Sequence, residues 1–217
     1  MFLLKLAYKN LTRHTKRTLI TAAVIAAAIF IYIFINSLLM GMNEASFRNI
    51  TNYSSGHLQI ANSNYWDKKD ELPLENLIYS TDRLKESVNK LDNLKAVTSQ
   101  LSFKARLNNG IDELPIVAKG IESDNFGDVL KLKDKIVAGS FIKGDKQQAV
   151  MGENLAKLMD LKIGDYFTLL VRTKEDTFNT IELKISGLLS TPNPDVNKNN
   201  VYLPLNIAQR ALNVESG

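Results

Sequence analysis

Residues 18 to 43, TLITAAVIAAAIFIYIFINSLLMGMN, contain no charged side chain. At about 1.5 Å of rise per residue, the run from Leu19 to Met40 makes a helix roughly 33 Å long, enough to cross a bilayer core of about 30 Å. Leu, Ile, Val and Phe supply twelve of those residues. They favour insertion by at most about 4 to 7 kcal/mol, which easily absorbs Asn36. One membrane-spanning helix is therefore expected, with membrane lipid as its immediate partner.

Lys5, Lys9, Arg13, Lys16 and Arg17 precede this run without a single acid. Phe2, Leu3, Leu6 and Leu11 alternate with them, as in a basic amphipathic segment lying in the membrane interface. A basic flank of this kind stays cytoplasmic. The expected organisation is a cytoplasmic segment over 1–17, a transmembrane helix over 18–43 and an extracytoplasmic domain over 44–217, in the cell (inner) membrane. A cleaved signal peptide has an apolar stretch of about 7 to 15 residues closed by an A-x-A site. Here the run is longer and ends Leu38-Leu39-Met40-Gly41-Met42-Asn43, so it reads as an uncleaved anchor.

The charge count separates two bodies. Of 27 Lys and Arg, 22 lie beyond Asn43 together with all 23 acids, leaving residues 44–217 at −1. The overall +4 and the pI near 9.1 thus come from the first 17 residues. They report topology and not a nucleic-acid surface, which needs a basic patch on the folded domain. The remaining length suits one globular domain. The absence of cysteine excludes a disulfide framework and thiolate chemistry.

Ala22/Ala26 and Ala23/Ala27 are small-xxx-small pairs that let another helix backbone approach, and Asn36 offers an amide to a neighbouring helix. Beyond the anchor, Glu44 to Ile50 continues the helix until Ser54-Ser55-Gly56 breaks it, and His57 to Ile60 alternates like the start of a strand. Asn62 to Leu77 is polar and irregular. Ser80 or Thr81 caps a helix carrying Leu84, Val88 and Leu91 on one face. A strand within Lys95 to Leu107 turns at Asn108-Asn109-Gly110 and returns over Leu114 to Gly120. Gln148 to Met151 reads as a strand and Glu153 to Met159 as a helix. Tyr166 to Arg172 and Ile181 to Leu189 form a hairpin, Val201 to Leu203 a short strand, and Pro204 opens a helix over Leu205 to Leu212. Strands and helices mixed without strict alternation define an α+β domain.

At this point the residues resemble a family. Leu6-Ala7-Tyr8-Lys9-Asn10-Leu11-Thr12-Arg13 with Lys16-Arg17-Thr18-Leu19 is similar to the opening of ABC-transporter permeases of the MacB/FtsX type, close to LAxRNLxRxxxRTxLT. Gly56-His57-Leu58-Gln59-Ile60 resembles the first strand of their periplasmic core, and Pro115 to Ile121 their v-x-G-I-d stretch. Ala149 to Ala156 with Leu161-Lys162-Ile163-Gly164-Asp165 resembles the most recognisable part of that domain. Ser186 to Thr191 and Tyr202-Leu203-Pro204-Leu205 fit its close. Among subfamilies the chain is most similar to lipoprotein-releasing (Lol-type) permeases.

The resemblance implies a mechanotransmission permease of four membrane helices. A partner ABC ATPase hydrolyses the ATP, further permease helices or a second permease subunit complete the membrane part, and lipoproteins or other amphiphiles are moved. Against that pattern, residues 1–217 carry the first helix and the outer domain alone, so a fragment, one half of a split permease or a truncated product is expected. The hairpin tip Lys174 to Asn179 also lacks the longer Pro-containing loop that hooks a soluble carrier protein.

No enzyme is expected. Gly139 to Lys146 imitates a phosphate loop, yet Asp145 follows Gly144 where the Walker pattern needs Lys, so no cofactor is expected on this chain. His57 lacks companion zinc donors, and Asp67, Asp70, Glu71 and Asp82 lack calcium-loop spacing. No G-x-S-x-G elbow is present. Tyr65-Trp66, aromatic among polar residues, reads equally as a partner contact or a satellite core. The competing reading of the whole is a single-pass anchored binding or assembly module without transport activity. A pilin-like subunit is disfavoured, since the leader Gly and the Glu just inside its apolar helix are missing. If the small-residue face packs against other membrane helices, Ala26→Leu with Asn36→Leu will reduce recovery of the membrane complex in detergent pull-downs, and undiminished recovery refutes that packing.

Overall fold

A single strand organises the domain. In the computed structural model, which describes residues 8–9, 13–79, 81–144 and 146–214, strand β6 (Phe178–Leu189) is twelve residues long and pairs with three others. Its first half runs antiparallel to β5 (Tyr166–Arg172). Its second half runs parallel to β4 (Gln148–Gly152) and antiparallel to β3 (Ile136–Gly139). The sheet continues through β7 (Asn200–Pro204), β2 (Glu113–Ile121) and β1 (Gln100–Asn108), and β1 pairs with β5. The ladder closes on itself as β6-β4-β7-β2-β1-β5, with β3 alongside β6. Closure gives β4, β7, β2, β1 and β5 a neighbour on both sides and leaves β3, four residues long, as the edge strand.

Side chains alternate across this sheet as strand period requires, so closure creates two faces. The inner face holds the main core: Phe103 and Leu107 of β1, Leu169 of β5, Leu183 of β6, Val201 and Leu203 of β7. The amphipathic helix Leu205–Leu212 covers it with Ile207, Ala208, Ala211 and Leu212. A second cluster forms on the other face, where Ile121, Val150, Leu189 and Tyr202 meet Phe126 and Phe141. Phe126 lies in the short helix Phe126–Val129 and stacks on Phe141 at 6.5 Å.

Helices are labelled in chain order: α1 (Thr15–Ile50), α2 (Thr81–Val88), α3 (Phe126–Val129), α4 (Glu153–Leu158), α5 (Pro194–Asn199) and α6 (Leu205–Leu212). The chain divides into two units, Met1–Arg48 and Asn49–Gly217. The described part of the first is helical from Thr15 and buries none of its side chains. Ile29, Phe30, Ile33 and Phe34 are among those left exposed. By length and composition this helix is apolar enough to cross a membrane.

Most sequence-predicted elements are present, including the β1–β2 and β5–β6 hairpins. One is not. Gly56 to Ile60 forms no strand; Leu58 and Ile60 are exposed and unpaired. Alternation alone does not make a strand: no strand of the sheet pairs with this segment. The segment after it folds instead into a kinked 3-10 helix over Ser63–Glu71. Ser80 lies outside the described residues, and α2 starts at Thr81 and ends at Val88, leaving Leu91 beyond it.

One contact pins the α4–α5 side. Gly152 ends β4 so close to α5 that a Cβ there would stand 2.0 Å from the Asn197 carbonyl oxygen. Asn197 is buried, and its amide holds the turn at Thr191: Nδ2 donates to the Thr191 carbonyl at 2.6 Å, and Oδ1 accepts from the Thr191 N–H at 2.8 Å and hydroxyl at 3.1 Å. Removing this amide strands buried backbone groups, each worth about 1 to 3 kcal/mol. Asn197→Ala is therefore expected to cost about 2 to 4 kcal/mol, read as a lowered midpoint in urea unfolding followed by circular dichroism.

Candidate functional site

Two features of the Asn49–Gly217 unit concentrate unusual chemistry: the segment that opens it and a buried lysine on its sheet. The unit starts at Asn49 and Ile50, and the chain then takes a π-helical turn, Thr51–Ser55. Such wide turns are rare and cluster at functional positions. Tyr53 within it is 8% exposed and inserts into the second core cluster beside Phe126 and Tyr202. The Asn52 carbonyl accepts from the Lys131 N–H at 2.9 Å, and the Lys135 ammonium lies 5.9 Å from the Tyr53 ring centre. Gly56 ends the turn at φ 72°, a backbone region that only glycine enters readily. The π-helical turn is thus fastened to the core by one aromatic anchor, one backbone hydrogen bond and a cation on the ring.

Lys119 sits near the C-terminal end of β2, opposite Ser102 of β1 and beside Tyr202 of β7 in register. It is 9% exposed, and its ammonium lies 5.8 Å from the Tyr202 ring centre. Burial lowers its pKa from the ordinary value of 10.5 to about 8, and the positive charge of Lys69 adds to the effect. The Tyr202 phenol is pushed up by burial, while the hydrogen bond from Asn200 at 3.4 Å acts the other way.

The sequence-predicted residues are scattered. Lys5 lies outside the described residues, as does Asp145. Lys9 and Arg13 are helical and exposed, as are Lys16 and Arg17 at the start of α1. Ala22, Ala23, Ala26 and Ala27 are exposed along α1. Asn36 turns its Nδ2 back on the Tyr32 carbonyl at 2.9 Å, so one half of its amide is used within its own helix. Tyr65 and Trp66 pack edge to face at 5.8 Å; Tyr65 is partly buried, which raises its pKa, and Trp66 is 45% exposed beneath the Lys69 ammonium at 5.6 Å. The Gly139–Lys146 stretch leads into β4, whereas a phosphate loop opens a helix. Among the described residues, no three metal-ligating side chains gather.

Tyr53 and Lys119 escaped sequence reasoning. Lys119 left one faint trace: it interrupts Ile116 to Ile121, a strand otherwise apolar except for its glycine.

A helix long and apolar enough to cross a membrane is followed by an α+β domain built on a closed sheet. Residues 18–216 match the MacB-like periplasmic core domain, and the chain belongs to that family, a component of ABC-transporter permeases. Among solved structures, the extracellular domain of the noncanonic ABC-type transporter YknZ from Gram-positive bacteria shares 14% identity over 63% of this chain and 67% of its own, with a TM-score of 0.48. A domain of a proposed permease protein from Porphyromonas gingivalis shares 15% identity over 61% of this chain and 56% of its own, with a TM-score of 0.42. No curated protein matches the sequence.

The Lys119 shift has a defined sign. Below about pH 8 both folded and unfolded states hold the proton, and the fold carries the full penalty of a buried cation. Between about 8 and 10.5 the folded state releases its proton while the unfolded state keeps it, so this group makes stability rise with pH. Lys119→Met should raise stability at neutral pH by up to about 3 kcal/mol and remove that part of the rise, as measured by urea unfolding of both proteins from pH 7 to 11.

Proposed function

We propose that this chain is the first-helix and outer-domain part of a mechanotransmission ABC permease that moves lipoproteins or other amphiphiles, with ATP hydrolysed by a partner subunit. The observation that carries the reading is the family match over residues 18–216, which includes the membrane helix as well as the domain. Family membership supports the permease; the likeness of the chain as a whole to lipoprotein-releasing (Lol-type) permeases suggests the cargo class.

The mechanism follows from stiffness. A helix without internal break transmits displacement along its axis far better than a flexible linker, and α1 extends as one helix from Thr15 to Ile50. Motion arriving at Ile50 meets the π-helical turn and the buried Tyr53. An anchor set in a close-packed core passes force on, since such interiors yield little to compression. Tyr53 is accordingly assigned as the point where helix motion enters the domain.

The N-terminal basic cluster, Lys5, Lys9, Arg13, Lys16 and Arg17, holds that end in the cytoplasm, and residues 44–217 face the opposite side. The alanine pairs and the remaining Asn36 carbonyl serve packing against further permease helices or a second permease subunit. The exposed edge of Trp66 over the Tyr65 ring serves contact with a lipoprotein or a carrier.

The native chain has no cysteine, so topology can be read cleanly. Lys146→Cys and Glu175→Cys should react with an impermeant maleimide in cells whose outer barrier alone is opened, while Lys9→Cys should react only after lysis. Affinity purification of the full chain from membranes should recover an ATPase with Walker motifs. Labelling with the opposite pattern overturns the orientation. Correct labelling without any ATPase favours the anchored binding or assembly module.

A further inference from the structure

We propose that the surface around Lys119, with Lys69 and Ser102, is a binding site for a phosphate group. Lys119 is almost wholly buried, yet among the described residues no carboxylate pairs with it and no hydrogen bond holds its ammonium. Its nearest charged influence is a second cation, Lys69, and its favourable contact is the face of Tyr202. Buried charges are ordinarily paired, because leaving water is costly for an ion. An ammonium on a largely buried stem, with a second lysine near it, no acid paired with it among the described residues, and its nitrogen still open to solvent, is placed to take an anion from outside the chain.

The neighbours fit an oxyanion. Ser102 stands directly across from Lys119 in the antiparallel register, so their side chains share a face. The Ser102 hydroxyl oxygen accepts from Gln100 Nε2 at 2.9 Å, which leaves its own O–H to donate. Two ammonium groups and a hydroxyl match a phosphate, which carries about −1.5 to −2 charges near neutral pH and several strong acceptor oxygens. Lys69 is also held over Trp66, on the 3-10 segment Ser63–Glu71. That places the second cation on an element separate from the sheet.

The source of the phosphate is open to chemistry on the same face. Two residues back along β2, Val117 borders an open groove of about 460 Å³ whose lining includes Lys104, Pro115, Leu170 and Phe178. Pro115, Val117, Leu170 and Phe178 would suit an acyl chain, so a lipid headgroup and free phosphate are both tested. The site stands independently of the transport reading.

The full chain, carrying ¹³C-labelled lysine and held in maltoside micelles, is titrated with inorganic phosphate and separately with dihexanoyl phosphatidylglycerol, ionic strength being matched with chloride. The Lys119 signal is assigned by its loss in Lys119→Met. The expected result is a saturable shift of that signal, weakened about tenfold or more in Lys69→Gln, with its titration midpoint raised from about 8 because a bound anion favours the charged form. Lys69→Gln alters an exposed segment and keeps the test valid if Lys119→Met unfolds. Saturation by inorganic phosphate identifies a soluble anion, and saturation by the lipid alone a headgroup. A non-saturating response to both, or one unchanged in Lys69→Gln, overturns the site.

Discussion

Strand β6 carries the architecture, because it alone pairs with β5, β4 and β3. Its twelve residues are long enough to serve the antiparallel hairpin with one half and the parallel neighbour with the other. That double use closes the ladder. Once closed, the sheet has an inside, and the apolar residues facing inward from six strands become one core capped by α6. The outside then needs cover only where it remains apolar. Phe126, Phe141 and Tyr53 supply it around Tyr202.

That arrangement gives Tyr53 its importance. The residue belongs to the turn that follows α1, yet it is spent on the domain's second core. An aromatic side chain of this size contributes a large buried area, so the opening segment of the domain is part of its packing. Gly56 then redirects the backbone through a left-handed conformation, freeing the following residues to run as an exposed, unpaired segment.

Lys119 shows the opposite economy. Strand β2 places it where apolar neighbours surround its stem, and Tyr202 offers its ring in place of a carboxylate. A cation–aromatic contact recovers about 0.5 to 2 kcal/mol, less than the desolvation that lowers its pKa. The fold tolerates this cost at one position of an otherwise apolar strand, and such unresolved costs are characteristic of binding surfaces.

How much of this was legible beforehand differs by element. The long apolar helix, the β1–β2 turn at Asn108-Asn109-Gly110 and the start of α6 at Pro204 were readable, since each depends on local composition: absence of charge, turn-forming residues, a proline at a helix start. His57 to Ile60 misled, because its alternation was genuine while its partners did not exist. The short elements Ile136–Gly139 and Pro194–Asn199 left no period long enough to detect. By itself the sequence determined a charge-free span and an α+β composition, both set by near neighbours in the chain. Only tertiary structure decided that the sheet closes, that Tyr53 is an anchor and that Lys119 has no acid partner among the described residues. Those outcomes depend on pairing between residues tens of positions apart, and burial is a property of what arrives from elsewhere in the chain.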